Sequence, residues 1–169
     1  MLQGCADIVD ATYLGAKFIP IHLKWYHAIR VSQADWFLMK APAVEGGKPL
    51  EFSDDLPSCL YNSATGMYTA AQIAAYMGFK QIYLIGVDHH FHISQNNKGE
   101  IVVDNSVKDY FSDQYNADKD KLYIPNTENS TLTYVAMKEQ CEKRGIKVFN
   151  ATRGGKLEVF ESVDFDALF

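Results

Sequence analysis

Residues 62–88, NSATGMYTAAQIAAYMGFKQIYLIGVD, constrain the fold more than any other part of this 169-residue chain. The turn-forming residues Asn62, Ser63 and Thr65 precede Gly66. Met67, Ala70, Ala71, Ala74 and Met77 then recur at helical spacing, and Gly78 supplies a C-terminal stop. Residues 82–87 are almost continuously apolar, as expected of a central parallel strand covered on both faces. A short link joins helix to strand, which suits an α/β crossover, and the many alanines let the helix lie close to a sheet. Turn, helix and strand in this order predict an α/β protein. The expected architecture is a Rossmann-like three-layer sandwich with a mostly parallel sheet, in a single domain spanning residues 1–169.

The remaining pattern is weaker. Residues 18–23 and 36–39 read as short strands, with a helical turn at 6–11 and a helical segment at 25–31. Pro42, Gly46, Gly47, Pro49 and Pro57 interrupt regular structure, so 41–60 is expected to be a long loop with an edge strand near 50–52. Residues 89–127 form a polar and aromatic insertion without a sustained period, read as a lid or a surface loop. A second helix is expected at 128–144, with Leu132, Val135, Ala136 and Glu139 repeating. Strands at 146–149 and 156–160 and a helical turn at 164–169 complete the pattern. The opening residues lack the strand and Gly-rich turn that begin a doubly wound nucleotide-binding fold. The expectation is therefore a fold shortened at its N-terminus, whose sheet edge a homo-oligomer would cover.

Composition excludes several function classes. Hydrophobic residues make up 47% and charged residues 22%, which fits an ordinary soluble domain. The net charge of -5 comes with no block of Lys or Arg interleaved with aromatics, which argues against a nucleic-acid partner. Cys5, Cys59 and Cys141 are widely spaced and suit neither a disulfide framework nor a metal motif, so a reducing cytoplasm is expected. No apolar run approaches the length of a transmembrane span, and no signal-peptide layout opens the sequence.

The candidate site residues gather where an α/β sheet binds ligands. Asn62, Ser63, Thr65 and Gly66 precede a helix whose free amides can hold a phosphate; capping of those amides by the same side chains is the alternative. Asp88 ends the strongest strand, at the mouth of an α/β site. There it can orient a hydroxyl or a magnesium-bound pyrophosphate, or simply bond to neighbouring amides. The cluster DHHFH adds His89, His90 and His92. In an extended segment Asp88, His90 and His92 share one side, which makes His90 and His92 the candidates for proton transfer. No residue completes a zinc signature, and no metal site is expected. Asn150, Thr152 and Arg153 follow a later strand and can face the same edge, Arg153 pairing with phosphate or closing a turn. Tyr123 and Asn126 lie before the second helix, where a lid would close.

The block at 62–88 and the closing NATRGGKLEVFESVDFDALF resemble the MptE-like family of proteins of unknown function. That family includes archaeal 6-hydroxymethylpterin diphosphokinases and members associated with bacterial surface-polysaccharide synthesis. The central block is also similar to Campylobacter-type CMP-sialic-acid sialyltransferases. This second resemblance implies that Thr65 and Gly66 lie near a nucleotide phosphate, with Asp88 at the strand end. It puts His90 where those enzymes have a site tyrosine. The segment LYIPNTENS resembles their lid, with Tyr123 at a phosphate-contacting tyrosine and Asn126 in place of the histidine general base. Asparagine cannot take up a proton at neutral pH, so His90 or His92 would have to serve instead. The implied function is a glycosyltransferase-like protein that uses a nucleotide-sugar donor and a glycan acceptor. The alternatives are an ATP- and Mg²⁺-dependent 6-hydroxymethylpterin pyrophosphokinase and a non-catalytic assembly domain with a vestigial nucleotide site.

Overall fold

The computed structural model describes residues 2–12, 17–42, 44, 50–89, 93–95, 101–103 and 126–169. Helix α1 (Leu2–Ala11) precedes β1 (Phe18–Pro20), α2 (Ile21–His27), β2 (Asp35–Phe37), β3 (Met39–Lys40) and β4 (Leu60–Tyr61). Helix α3 (Gly66–Tyr76) leads into β5 (Gln81–Leu84), then β6 (Ile93–Gln95) and β7 (Ile101–Val103). Helix α4 (Thr127–Lys143), β8 (Lys147–Asn150), β9 (Glu161–Ser162) and a 3₁₀ turn (Phe165–Leu168) follow. The result is a mixed α/β fold with mostly parallel strands. β1 pairs with β2, β3 with β4, and β8 lies between β5 and β9, all in parallel. The one antiparallel pair among the described residues is β6 with β7, Ser94 opposite Val102.

Several elements differ from the sequence expectation, each for a local reason. The segment expected as a strand at 18–23 turns helical after Pro20, whose fixed backbone angle (φ -62°) suits a helix entry. Helix α2 ends at His27, earlier than 25–31 suggested, because Ala28 takes a left-handed conformation (φ 51°) and returns its amide to Leu23. Residues 50–52 do not pair as a strand. Leu50 and Glu51 instead offer their carbonyls to the Tyr68 hydroxyl, and Arg144 grips Asp54 through two hydrogen bonds of 2.7 and 2.8 Å. The loop is therefore pinned to the helices by side chains. Leu60 and Tyr61, at its end, form the unexpected strand β4, and β6 and β7 form an unexpected hairpin inside the insertion. The strand or extended segment expected at 156–160 does not pair; the pairing strand β9 follows it at Glu161–Ser162.

The strand expected to be central and doubly covered is neither. β5 stops at Leu84 and lies at one margin of its sheet, while β8 takes the centre. Gly86 has φ 71° and Thr152 Oγ1 accepts the Val87 amide at 3.0 Å, so the chain turns away from the ladder. Tyr83 is 37% exposed and stacks on Phe149 with ring centroids 5.1 Å apart.

The core lies between α3, α4 and the adjoining strands. Tyr68, Ala71, Leu84, Tyr134, Met137, Cys141, Ile146 and Phe160 pack in one cluster. Helix α3 buries Ala71 and packs Met67 on the core as its apolar spacing suggested, and Ala136 of α4 does the same, but both helices turn further polar positions inward. In α4 the buried residues are Thr133, Tyr134, Met137 and Cys141, whereas Leu132, Val135 and Glu139 are exposed. In α3 they are Tyr68, Ala71 and Gln72, and Met77 is exposed. Polar side chains enter because the neighbouring loops supply their partners. Gln72 is fully buried: its Oε1 accepts the Ser53 and Tyr61 amides, and its Nε2 donates to the Tyr61 and Tyr68 carbonyls. The Cys141 thiol, buried in the same core, is pushed up to about 11.

Candidate functional site

Parallel strands β3 and β4 present their carboxyl ends to a cleft of about 460 Å³. Its described walls are Ala41, Pro42 and Val44 after β3, Ser63 and Ala64 after β4, and Asn126, Asn129 and Ser130 at the start of α4. This is the position at which open α/β sheets bind ligands. Every one of these lining residues is uncharged, so the cleft offers hydrogen bonds and helix-end amides in place of a cationic clamp.

The turn before α3 is fastened to α4 by hydroxyl groups. Thr133 Oγ1 donates to the Asn129 carbonyl at 2.8 Å, so its single proton is committed and Ser63 Oγ must donate across the 3.0 Å contact between them. Thr65 caps α3 by accepting the Met67 amide at 3.3 Å, and it also meets the Tyr134 hydroxyl at 3.2 Å. Burial raises the Tyr134 phenol, which stays protonated as a result. Asn126 caps α4 by accepting the Asn129 amide at 2.9 Å, leaving its own NH₂ uncommitted to that cap. Asn62 accepts from Thr69 and donates its backbone amide to Lys40. A Cβ placed on Gly66 would meet no atom within 4 Å, so the fold itself does not require glycine there.

The second group of expected site residues closes the loop beyond β5. Asn150 is buried, donating to the Leu157 carbonyl and accepting the Thr152 amide, both at 3.0 Å. Thr152 also donates weakly to the Leu84 carbonyl at 3.4 Å. Gly155 is needed here, since a Cβ would lie 3.0 Å from Thr152 side-chain atoms and 3.2 Å from the Val87 carbonyl. The Lys156 amide binds the Asp88 carbonyl at 2.8 Å, while the Asp88 side chain is exposed. Arg153 pairs with Asp166 and lies over the Phe165 ring, 4.8 Å from its centroid, and does not line the cleft. Asn150, Thr152 and Gly155 thus fix the path of Val87 and Asp88.

That path delivers His89, the histidine whose phase in an extended strand had set it apart from His90 and His92. Its backbone is left-handed (φ 53°), so the extended phase does not apply at this position. His89 Nε2 lies 2.8 Å from Thr131 Oγ1, and its ring meets Tyr134 edge-on with centroids 5.5 Å apart. Burial lowers its pKa below the ordinary histidine value, with no contribution from a charged described neighbour. His90, His92 and Tyr123 lie outside the described residues, as does most of the insertion expected as a lid. Among the described residues no group of three or more His, Cys, Asp or Glu gathers as a metal site, and no helix is long and apolar enough to cross a membrane.

Residues brought into or beside the cleft that apolar periodicity did not single out are Asn129, Ser130, Thr131, Thr133 and Tyr134. A signal for them existed in the sequence. Residues 127–134, TENSTLTY, crowd hydroxyl and amide side chains into the first two turns of a helix, where they are poor helix formers and need another reason to be present.

The fold and cleft define a mostly parallel α/β protein with a crevice at strand carboxyl ends whose described lining carries no charge. Comparison with protein-family models, with characterised proteins and with solved structures gives no significant match.

Proposed function

We propose that this chain is a Rossmann-like, cytoplasmic, glycosyltransferase-like protein that binds a nucleotide sugar and acts in bacterial surface-polysaccharide synthesis. The observation that carries this reading is the carboxyl-end cleft between the starts of α3 and α4, walled by Ser63, Asn126, Asn129 and Ser130. Such a wall suits a polyhydroxyl ligand, whose many donors and acceptors are matched by hydroxyls and amides. The helix starts add a partial positive field for a phosphate, and Gly66 leaves room for close approach. The resemblance of residues 62–88 to sialyltransferases supports the same ligand class, with Thr65 and Gly66 near phosphate. Under this reading β1 to β4 and β5, β8 and β9 belong to one three-layer sandwich, and Asp88 orients a sugar or acceptor hydroxyl.

The test is a calorimetric screen of CMP-, UDP- and GDP-sugars and of ATP, followed by an assay for release of the nucleotide. Saturable binding of one nucleotide sugar, weakened by Asn126→Ala, is the expected result. Absence of binding by any nucleotide sugar overturns the reading. AMP release from ATP in the presence of a hydroxymethylpterin would replace it with pyrophosphoryl transfer.

A further inference from the structure

Sugar transfer to a hydroxyl requires a group that accepts the hydroxyl proton, and Asn126 cannot be that group. The hydrogen bonds around His89 determine which of its nitrogens is available. Thr131 Oγ1 donates its only proton to the Thr127 carbonyl at 2.8 Å. Its lone pairs are what remain for His89, so Nε2 must carry the proton across their 2.8 Å contact. Neutral His89 is therefore the Nε2–H tautomer, and Nδ1 holds the free lone pair. No described residue bonds to Nδ1. The ring is held in place by Tyr134, whose hydroxyl reaches Thr65 beside the cleft, and Thr131 directly follows the cleft residue Ser130. His89 also has a left-handed backbone (φ 53°), a conformation that at non-glycine residues concentrates at functional sites.

We propose that His89, which stands on Thr131 beside the described lining of the cleft, is the proton acceptor for a sugar bound there, presenting Nδ1 to an acceptor hydroxyl while Thr131 holds its Nε2–H; the assignment rests on the transferase reading. In the step it serves, the acceptor oxygen forms a bond to the anomeric carbon of the nucleotide sugar. The bond from that carbon to the phosphate oxygen breaks, and its electron pair leaves with the nucleotide. The hydroxyl proton passes to Nδ1, and the resulting imidazolium later returns it to water. The depressed basicity of the half-buried ring favours its neutral form.

His89→Gln separates the two nitrogens, because the Gln amide can still donate to Thr131 Oγ1 but offers no base at the Nδ1 position. Turnover of the nucleotide sugar is expected to fall by about 100-fold or more in kcat, with its Kd unchanged. Thr131→Val, which removes the acceptor, is expected to shift the His89 tautomer and lower kcat by less, and Thr131→Ser is expected to restore both. Nitrogen-15 spectra of the wild-type ring should show the neutral Nε2–H form at pH 7. A ring that is charged or protonated on Nδ1 overturns the assignment, as does wild-type turnover in His89→Gln with nucleotide-sugar binding intact. If the wild-type protein binds no nucleotide sugar, the transferase reading and this assignment fall together.

Discussion

The cleft at the carboxyl ends of β3 and β4 contrasts with a second cavity beside β2 and α2, and the two differ in charge and in anchoring. The second cavity, of about 640 Å³, is lined by Asp10, Lys24, Ala28, Ile29, Arg30, Val31, Ser32 and Trp36. It carries charges that the described lining of the first cleft does not, with Lys24 Nζ 5.3 Å from the Trp36 ring centroid. Charge alone would favour it as the ligand site. Anchoring favours the other. The first cleft stands on Thr133 and Met137, which are fully buried, whereas α2 beside the second cavity buries no residue. A binding site needs side chains held within a fraction of an ångström, and only a packed helix with satisfied polar groups supplies that. Beside the second cavity the Asp10 carboxylate accepts from the Ser32 amide and hydroxyl.

The comparison can be broken most directly in the core. Met137→Ala is expected to cost about 2–5 kcal/mol, because the emptied volume lies between packed elements that cannot collapse fully. Trp36→Ala, at the second cavity, should cost no more than about 1 kcal/mol. Urea unfolding measures both, and equal losses would refute the difference in anchoring. Gln72→Leu is expected to cost about 3 kcal/mol, since it strands the Ser53 and Tyr61 amides without acceptors in the interior. Full stability in that variant would show that the loop at 50–55 finds other partners.

Acid sharpens the contrast with a smaller effect. The lowered His89 pKa means that the unfolded chain binds a proton more readily than the folded one. Its contribution to stability is fully present above the ordinary value of 6.5 and is lost as pH falls through the depressed folded value. Unfolding midpoints taken from about pH 8 to about pH 5 should decline more steeply in the wild type than in His89→Gln. Parallel profiles would count against a neutral, half-buried ring. The smallest effect belongs to the second cavity: Ala28→Gly relieves a left-handed alanine and should raise stability by about 0.5 kcal/mol. A loss of stability there would mean that the Ala28 methyl packs better than its exposure implies.

Much of this contrast could be read before the structure. Thr65 capping α3, Asn126 at the start of α4, Gly78 ending α3 and the parallel order of the later strands all follow from local chemistry visible in residues 62–88 and 126–150. The left-handed turn at His89 did not follow, because nothing in the local sequence calls for φ 53° at a histidine. That conformation is imposed from outside, by Thr152 capturing the Val87 amide and by Lys156 binding the Asp88 carbonyl. Both partners come from more than sixty residues along the chain.

What the sequence alone determined is where the two helices of its best-patterned half begin and end, since caps and glycines act within a few residues, whereas the apolar run at 82–87 overshot the end of β5 at Leu84. What the tertiary structure decided is which face each helix buries. Apolar counting chose Leu132 and Val135 in α4, and Met77 in α3, yet these are exposed while Thr133, Tyr134 and Gln72 are interior. A polar group is costly to bury only when it lacks a partner, and Ser63, Thr65, Ser53 and Tyr61 supply those partners from elsewhere in the chain. Such compensation depends on three-dimensional neighbours, so no periodicity within one helix could have revealed it.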